Sequence, residues 1–136
     1  MSEKFLGGDF TEIVCKHPLG TFRFQGKSNE DATMDHGGYR ANDDSNAITG
    51  GGKAIYQITR NRWSMELPVA ADFDSENETK TWEQLAAHPE DGIWTFTHVA
   101  GWTRKGKGRP VGDQQFSSLN AQGTLKVSGG GKFEKI

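Results

Sequence analysis

Several groups of residues have the types, and nearly the spacings, that chemistry requires. Gly20-Thr-Phe-Arg-Phe-Gln-Gly26-Lys27-Ser28 approximates a phosphate-binding loop. Such a loop needs four residues between its glycines and a helix behind it, so that backbone amides converge on the phosphate. Here five residues intervene at a strand end, so the segment reads as a turn. Gly50-Gly-Gly-Lys53 and Gly129-Gly-Gly-Lys132 lack the leading glycine and read as hinges. Asp72, Asp74, Glu76, Glu78 and Glu83 mimic the oxygen spacing of a calcium loop, but Asn77 stands where that loop turns on glycine. A following helix, whose positive end favours acids, accounts for the same carboxylates. Cys15 and His17 alternate along one strand-like run, yet a nucleophile also needs an orienting group and an oxyanion hole. His98, among apolar neighbours, reads as an ordinary strand residue. One cysteine and four scattered histidines give neither a disulfide nor a zinc spacing. The expectation is a chain with no catalytic, cofactor or metal site, not an enzyme.

The strongest remaining group is Arg104, Lys105, Lys107 and Arg109 beside Trp102. Barrels with basic loops and aromatics bind single-stranded nucleic acid by phosphate neutralisation and base stacking. The sequence pI near 6.1 is low for a dedicated binder, and the same cations could dock on acidic patches of an identical neighbour.

The elements that must position these residues read as mostly β. Glycine accounts for 18 of 136 residues, set between short alternating apolar runs. Strands are expected over 10–16, closed by Pro18 and Gly20, and over 21–25, with Phe22 and Phe24 on one face. The polar stretch 29–53 reads as a projecting arm or long hairpin. Alternation over 54–69 predicts two strands or one long bent one. One helix is expected around 79–88, capped by Ser75 or Asn77, with Trp82, Leu85 and Ala86 on one face and Pro89 as its stop. Residues 93–100 alternate, Trp94, Phe96 and His98 falling on one side; 101–109 read as a basic bend. Strands around 111–119 and 124–127 follow, and 128–136 form a glycine-rich tail. The fold expected is one domain over 1–136, a small β-sandwich or barrel with one flanking helix and a long projecting loop.

Composition adds two constraints. Leu, Ile, Val and Phe supply about 18% of the chain, a thin core, so part of the stability is expected from neighbouring subunits. Net charge is −3 over 1–50, −4 over 51–100 and +5 over 101–136, a pattern suited to packing of identical copies. No stretch has the length and apolarity of a membrane helix and the first residues lack a signal-peptide pattern, so a soluble protein made in the cytosol is expected.

The order Glu66-Leu-Pro-Val69, a helix around Thr81-Trp-Glu-Gln-Leu85, a strand Trp94-Thr-Phe-Thr97, a bend from Gly101 to Pro110-Val111-Gly112-Asp113 and a last strand Gly123-Thr-Leu-Lys-Val-Ser-Gly-Gly-Gly131-Lys-Phe-Glu-Lys135 resembles tail tube proteins of contractile-tailed bacteriophages. Lys16-His-Pro-Leu-Gly-Thr-Phe22 supports the likeness. The resemblance implies a fold shared with the inner tubes of type VI secretion systems and hexameric rings stacked around a channel. Phage DNA would pass without sequence-specific binding, and the tail sheath and baseplate or other tail proteins would be the partners. It implies a virion tail protein synthesised in the host cytoplasm, with no membrane insertion of its own. A specialised ring at the baseplate or tail terminus, and a single-stranded nucleic-acid-binding barrel, are the alternatives. Contacts between copies are expected at Tyr39, Arg40, Asp43 and Asp44 in the arm and at Arg104, Lys105, Lys107, Arg109 and Asp113; arm and tail are expected to order only on assembly.

Overall fold

The computed structural model describes residues 4–41, 47–113 and 115–136. In chain order the elements are β1 (Phe10–His17), β2 (Gly20–Phe24), β3 (Thr33–Asp35), β4 (Gly38–Ala41), β5 (Ala47–Ile48), β6 (Ala54–Ile55), β7 (Ile58–Asn61), β8 (Trp63–Ala70), α1 (Asn77–Ala87), β9 (Gly92–His98), β10 (Thr103–Pro110), β11 (Phe116–Ser117), β12 (Gln122–Gly129) and β13 (Glu134–Lys135). The fold is mainly β with one flanking helix, as the glycine punctuation implies. Nine strands form one antiparallel sheet in the order β2-β1-β9-β10-β12-β8-β3, with β11 added to β12 and β13 to β10.

That sheet closes on itself. After pairing with β1, the chain leaving β2 crosses to β8: Lys27 N–H donates to Pro68 O at 3.0 Å, Ala70 N–H donates to Gln25 O at 2.8 Å, and Gly26 bridges Val69. A sheet joined at both ends has few free edges to offer to other chains.

Alternation decides what the barrel encloses. β8 buries Trp63, Met65, Leu67 and Val69 and turns the residues between them outward; β9 does the same with Trp94, Phe96 and His98. Ile13, Cys15, Phe24, Leu125, Val127 and Phe133 complete the interior, into which α1 lays Trp82 and Leu85. The helix starts one residue away from the expected caps, at Glu76 in the left-handed region (φ 57°). Ser75 and the acids instead shape the preceding turn. Asp72 accepts from the Asp74 amide and the Ser75 hydroxyl, and Glu78 accepts from the Asp72 amide at 3.0 Å.

β10 corrects the reading of 101–109 as a bend. Its buried positions are Gly106, Gly108 and Pro110, and the first two are glycines where strands of this kind normally carry apolar side chains. A Cβ at Gly106 would meet Trp63 at 2.7 Å, and one at Gly108 would strike the Ser128 backbone. The indoles of Trp63 and Trp94 cross the interior and donate to the carbonyls of Lys107 (3.2 Å) and Gly108 (3.1 Å). Within a few residues β10 passes from β9 and β13 to β12, Arg109 standing opposite Ser128. Glycine is needed there because backbone and aromatic rings occupy the side-chain space.

Three other boundaries move. Thr33–Asp35, placed by sequence inside the arm, lies on the edge of β8. The tail folds back: β12 runs to Gly129, Phe133 is buried with its ring stacked 4.6 Å from that of Trp63, and Glu134 and Lys135 pair with Lys105 and Arg104. The expected strand over 111–119 is only Phe116–Ser117.

If crowding at the β10–β12 crossing demands glycine, Gly108→Ala and Gly129→Ala each cost about 1–3 kcal/mol, while Gly130→Ala, with open space around it, stays within about 0.5 kcal/mol. Urea unfolding midpoints of the three variants check this.

Candidate functional site

The alternation expected to run into β8 from Ala54 splits in two. Only its second half is core. The first half belongs to a long hairpin, in which β4 pairs with β7, Gly38 opposite Asn61 and Ala41 opposite Ile58. Farther out, β5 pairs with β6, and Thr49 N–H donates to Lys53 O (2.8 Å) to close the tip. Every residue from 47 to 60 is exposed. Tyr39 (73% exposed), Ile48 (70%), Tyr56 (65%) and Ile58 (65%) therefore stand in water. The polar arm expected over 29–53 is thus, in its described part, a ribbon beginning at 38, ending at 61 and carrying apolar side chains.

The base of this ribbon is fixed by charge. The Arg40 guanidinium pairs with the Asp35 carboxylate, which also accepts from the Gly37 amide at 2.9 Å. These hydrogen bonds, Arg40 first, hold the Asp35 carboxyl below the usual carboxylate range, and the same partnership raises Arg40. Among the expected contact residues, Arg40 therefore ties the ribbon to β3. Tyr39 is exposed beside Arg60, whose guanidinium lies 5.8 Å from its ring centre. Asp43 and Asp44 lie outside the described residues. Asp113 is exposed in the loop after Gly112.

The basic cluster is not one site. Arg104 turns to the tail, donating to Phe133 O at 2.8 Å with its guanidinium over that ring. Arg109 is held by Asp91 at 2.8 Å and by Pro89 O. Lys105 and Lys107 remain, side by side on the outer face of β10. Trp102, expected to flank them as a stacking platform, lies parallel to His98 (4.8 Å between ring centres) and edge-on to Phe10 (5.5 Å). Register brings two unforeseen cations to the outer surface: Lys16 lies across Ile93 from Lys107, and Arg23 lies across Val14 and Thr95 from Lys105. Period-two reading of β1 and β2 puts both outward; their cross-strand neighbours require the topology.

Cys15 is fully buried, and desolvation pushes its thiol up to about 12. His17 donates to Glu90 O at 3.0 Å while its Nδ1 accepts from Leu19 N–H, so its ring serves the β1–β2 turn. No group of three or more metal-binding side chains occurs among the described residues, and no helix there is long and apolar enough to cross a membrane. No family model matches the chain, and no curated protein matches it.

Two outcomes follow. Native Cys15 should react with iodoacetamide at pH 8 on the order of 10³-fold more slowly than in urea. Because the unfolded thiol ionises near about 8.5 and the folded one far higher, stability is full below about pH 8.5 and falls as pH rises toward about 12. For Asp35 the sign is reversed: its pairing stabilises above the ordinary carboxylate range and is lost as pH falls through the lowered midpoint. Arg40→Gln should return that midpoint toward about 3.9, read by carboxyl carbon NMR.

Proposed function

We propose that this chain is a structural subunit that assembles with copies of itself, as the ring-forming subunit of a contractile phage tail tube does. The observation that carries the reading is the ribbon built from β4, β5, β6 and β7. Tyr39, Ile48, Ile55, Tyr56 and Ile58 stand exposed together on it, whereas the other exposed large hydrophobics, such as Leu19, Ile93, Val99 and Leu119, are scattered singly over turns, termini and strand positions of the barrel. Exposed apolar surface gathered on one element marks an interaction site, and a two-stranded ribbon alone is marginal in water. A second copy is the partner this reading commits to, because a repeating assembly offers every ribbon an identical receiving surface.

In the proposed assembly the closed barrel is the rigid body and the ribbon is the connector. The resemblance to tail tube proteins supplies the arrangement: hexameric rings stacked around a passage for DNA, with sheath and baseplate proteins outside. Mechanical strength would come from burying the ribbon against neighbouring barrels, and the role requires no covalent chemistry. The −4 middle and +5 end of the chain favour an ordered contact between unlike surfaces over a symmetric one.

Mass photometry and negative-stain microscopy of the purified chain should show rings or stacked rings at micromolar concentration. Tyr56→Ser with Ile58→Ser should lower the assembled fraction at least tenfold, since buried aromatic and aliphatic anchors are each worth about 1–2 kcal/mol or more. The melting temperature of the dilute subunit should shift by less than about 2 °C, because both side chains lie off the core. A wild-type chain that stays monomeric across a hundredfold concentration range overturns the reading.

A further inference from the structure

We infer that the outer face of β1, β2, β9 and β10 contacts the sugar–phosphate backbone of a nucleic acid. The cations there come from separate parts of the sequence and are brought together by register alone. Lys16, Ile93 and Lys107 form one rung; Arg23, Val14, Thr95 and Lys105 form the next. At about 4.8 Å between strands, Lys16 and Lys107 stand about 10 Å apart, and Lys105 and Lys107 are separated by about 6.8 Å along β10. That last step equals two phosphates' advance along one strand of a duplex, at roughly 3.4 Å each.

Charge on this face is compensated only in part, leaving it net positive. Its carboxylates are Glu12, which pairs with Arg23, Asp91, which pairs with Arg109, and Glu134, which stands opposite Lys105. Lys16, Lys105 and Lys107 are exposed and make no ion pair among the described residues. The remaining outward residues include Thr21, Thr95, Thr97 and Thr103, short hydroxyl side chains of the kind that meet phosphate oxygens.

Chemistry selects the partner. Protein–protein interface cores are depleted in lysine and anchored by aromatics, and these two rungs carry three lysines and no aromatic residue. Base stacking is also missing from this face, since Trp102 is spent on His98 and Phe10. Contact through phosphates alone is indifferent to sequence and open to single strands and duplexes alike, with a slightly steeper salt slope for the duplex. The inference does not depend on the assembly reading.

The test is fluorescence anisotropy of a labelled 20-mer, single-stranded and duplex, titrated with the full chain between about 50 and 200 mM salt. Engagement of three or four cations predicts a log–log salt slope of about −2 to −4 for both forms. Lys16→Ser, Lys105→Ser and Lys107→Ser combined should bring the slope to about −1 or weaker, whereas Lys80→Ser on the helix should leave it unchanged. An unchanged slope in the triple variant, or no binding by the wild-type chain at the lowest salt, overturns the inference. So does polyglutamate of equal charge competing as well as DNA, since the face would then suit an acidic protein. Mass photometry of the triple variant separates the two ideas. Assembly without DNA binding by the wild-type chain removes only this inference, and binding by a chain that never assembles removes only the assembly reading.

Discussion

The structure depends on how β10 is allowed to cross the barrel. Thr103–Pro110 turns two glycines inward and, until Pro110 at its end, no apolar side chain, yet it links β9 on one side to β12 on the other. Gly106 and Gly108 leave room that Trp63, Trp94 and Phe133 fill from across the interior, and two indole N–H groups satisfy the carbonyls of Lys107 and Gly108. An unpaired buried carbonyl costs about 1–3 kcal/mol, so the indoles supply hydrogen bonding as well as area. No buried side-chain nitrogen or oxygen lacks a partner among the described residues. A chain poor in aliphatic residues thus adds six aromatic rings to the aliphatic side chains of its core, and glycine provides the space for two of them, Trp63 and Phe133.

This arrangement frees β10 to present charge outward. Every inward glycine is followed or preceded by a cation on the opposite face, so the strand holding the barrel together also carries Lys105 and Lys107 into solvent. The same economy separates the two surfaces that matter. The barrel closes its sheet at Gly26 and Val69 and offers a charged exterior; the ribbon strands β4 to β7, tied down through Arg40 and Asp35, offer an apolar one. One surface suits a polyanion and the other a surface that excludes water.

Much of the barrel was legible in the sequence because alternation is a property of the strand itself. Phe22 with Phe24, Trp94 with Phe96 and His98, and Trp63 with Met65, Leu67 and Val69 each share a face as their spacing requires, and Trp82 with Leu85 marks the buried side of α1. The failures have one cause. Periodicity tells which residues share a face, but not what that face meets. Ala54, Tyr56 and Ile58 alternate as well as any core strand and face water. Gly106 and Gly108 carry no hydrophobic signal and face the core. Phe133, after three glycines, gave no sign that its ring would stack on Trp63. Within the basic cluster, residue type gave the charge, while only topology distinguished the committed Arg104 and Arg109 from the outward Lys105 and Lys107.

The central claim, that the barrel is complete in one copy whereas the ribbon needs another, is tested most directly by amide hydrogen exchange at two protein concentrations. Backbone amides of β8, β9 and β12 should be strongly and equally protected in dilute and concentrated samples. Those of residues 47–61 should exchange freely when dilute and become protected as concentration rises. Protection of 47–61 already present in the dilute monomer, or barrel amides that gain protection only on concentration, would contradict it.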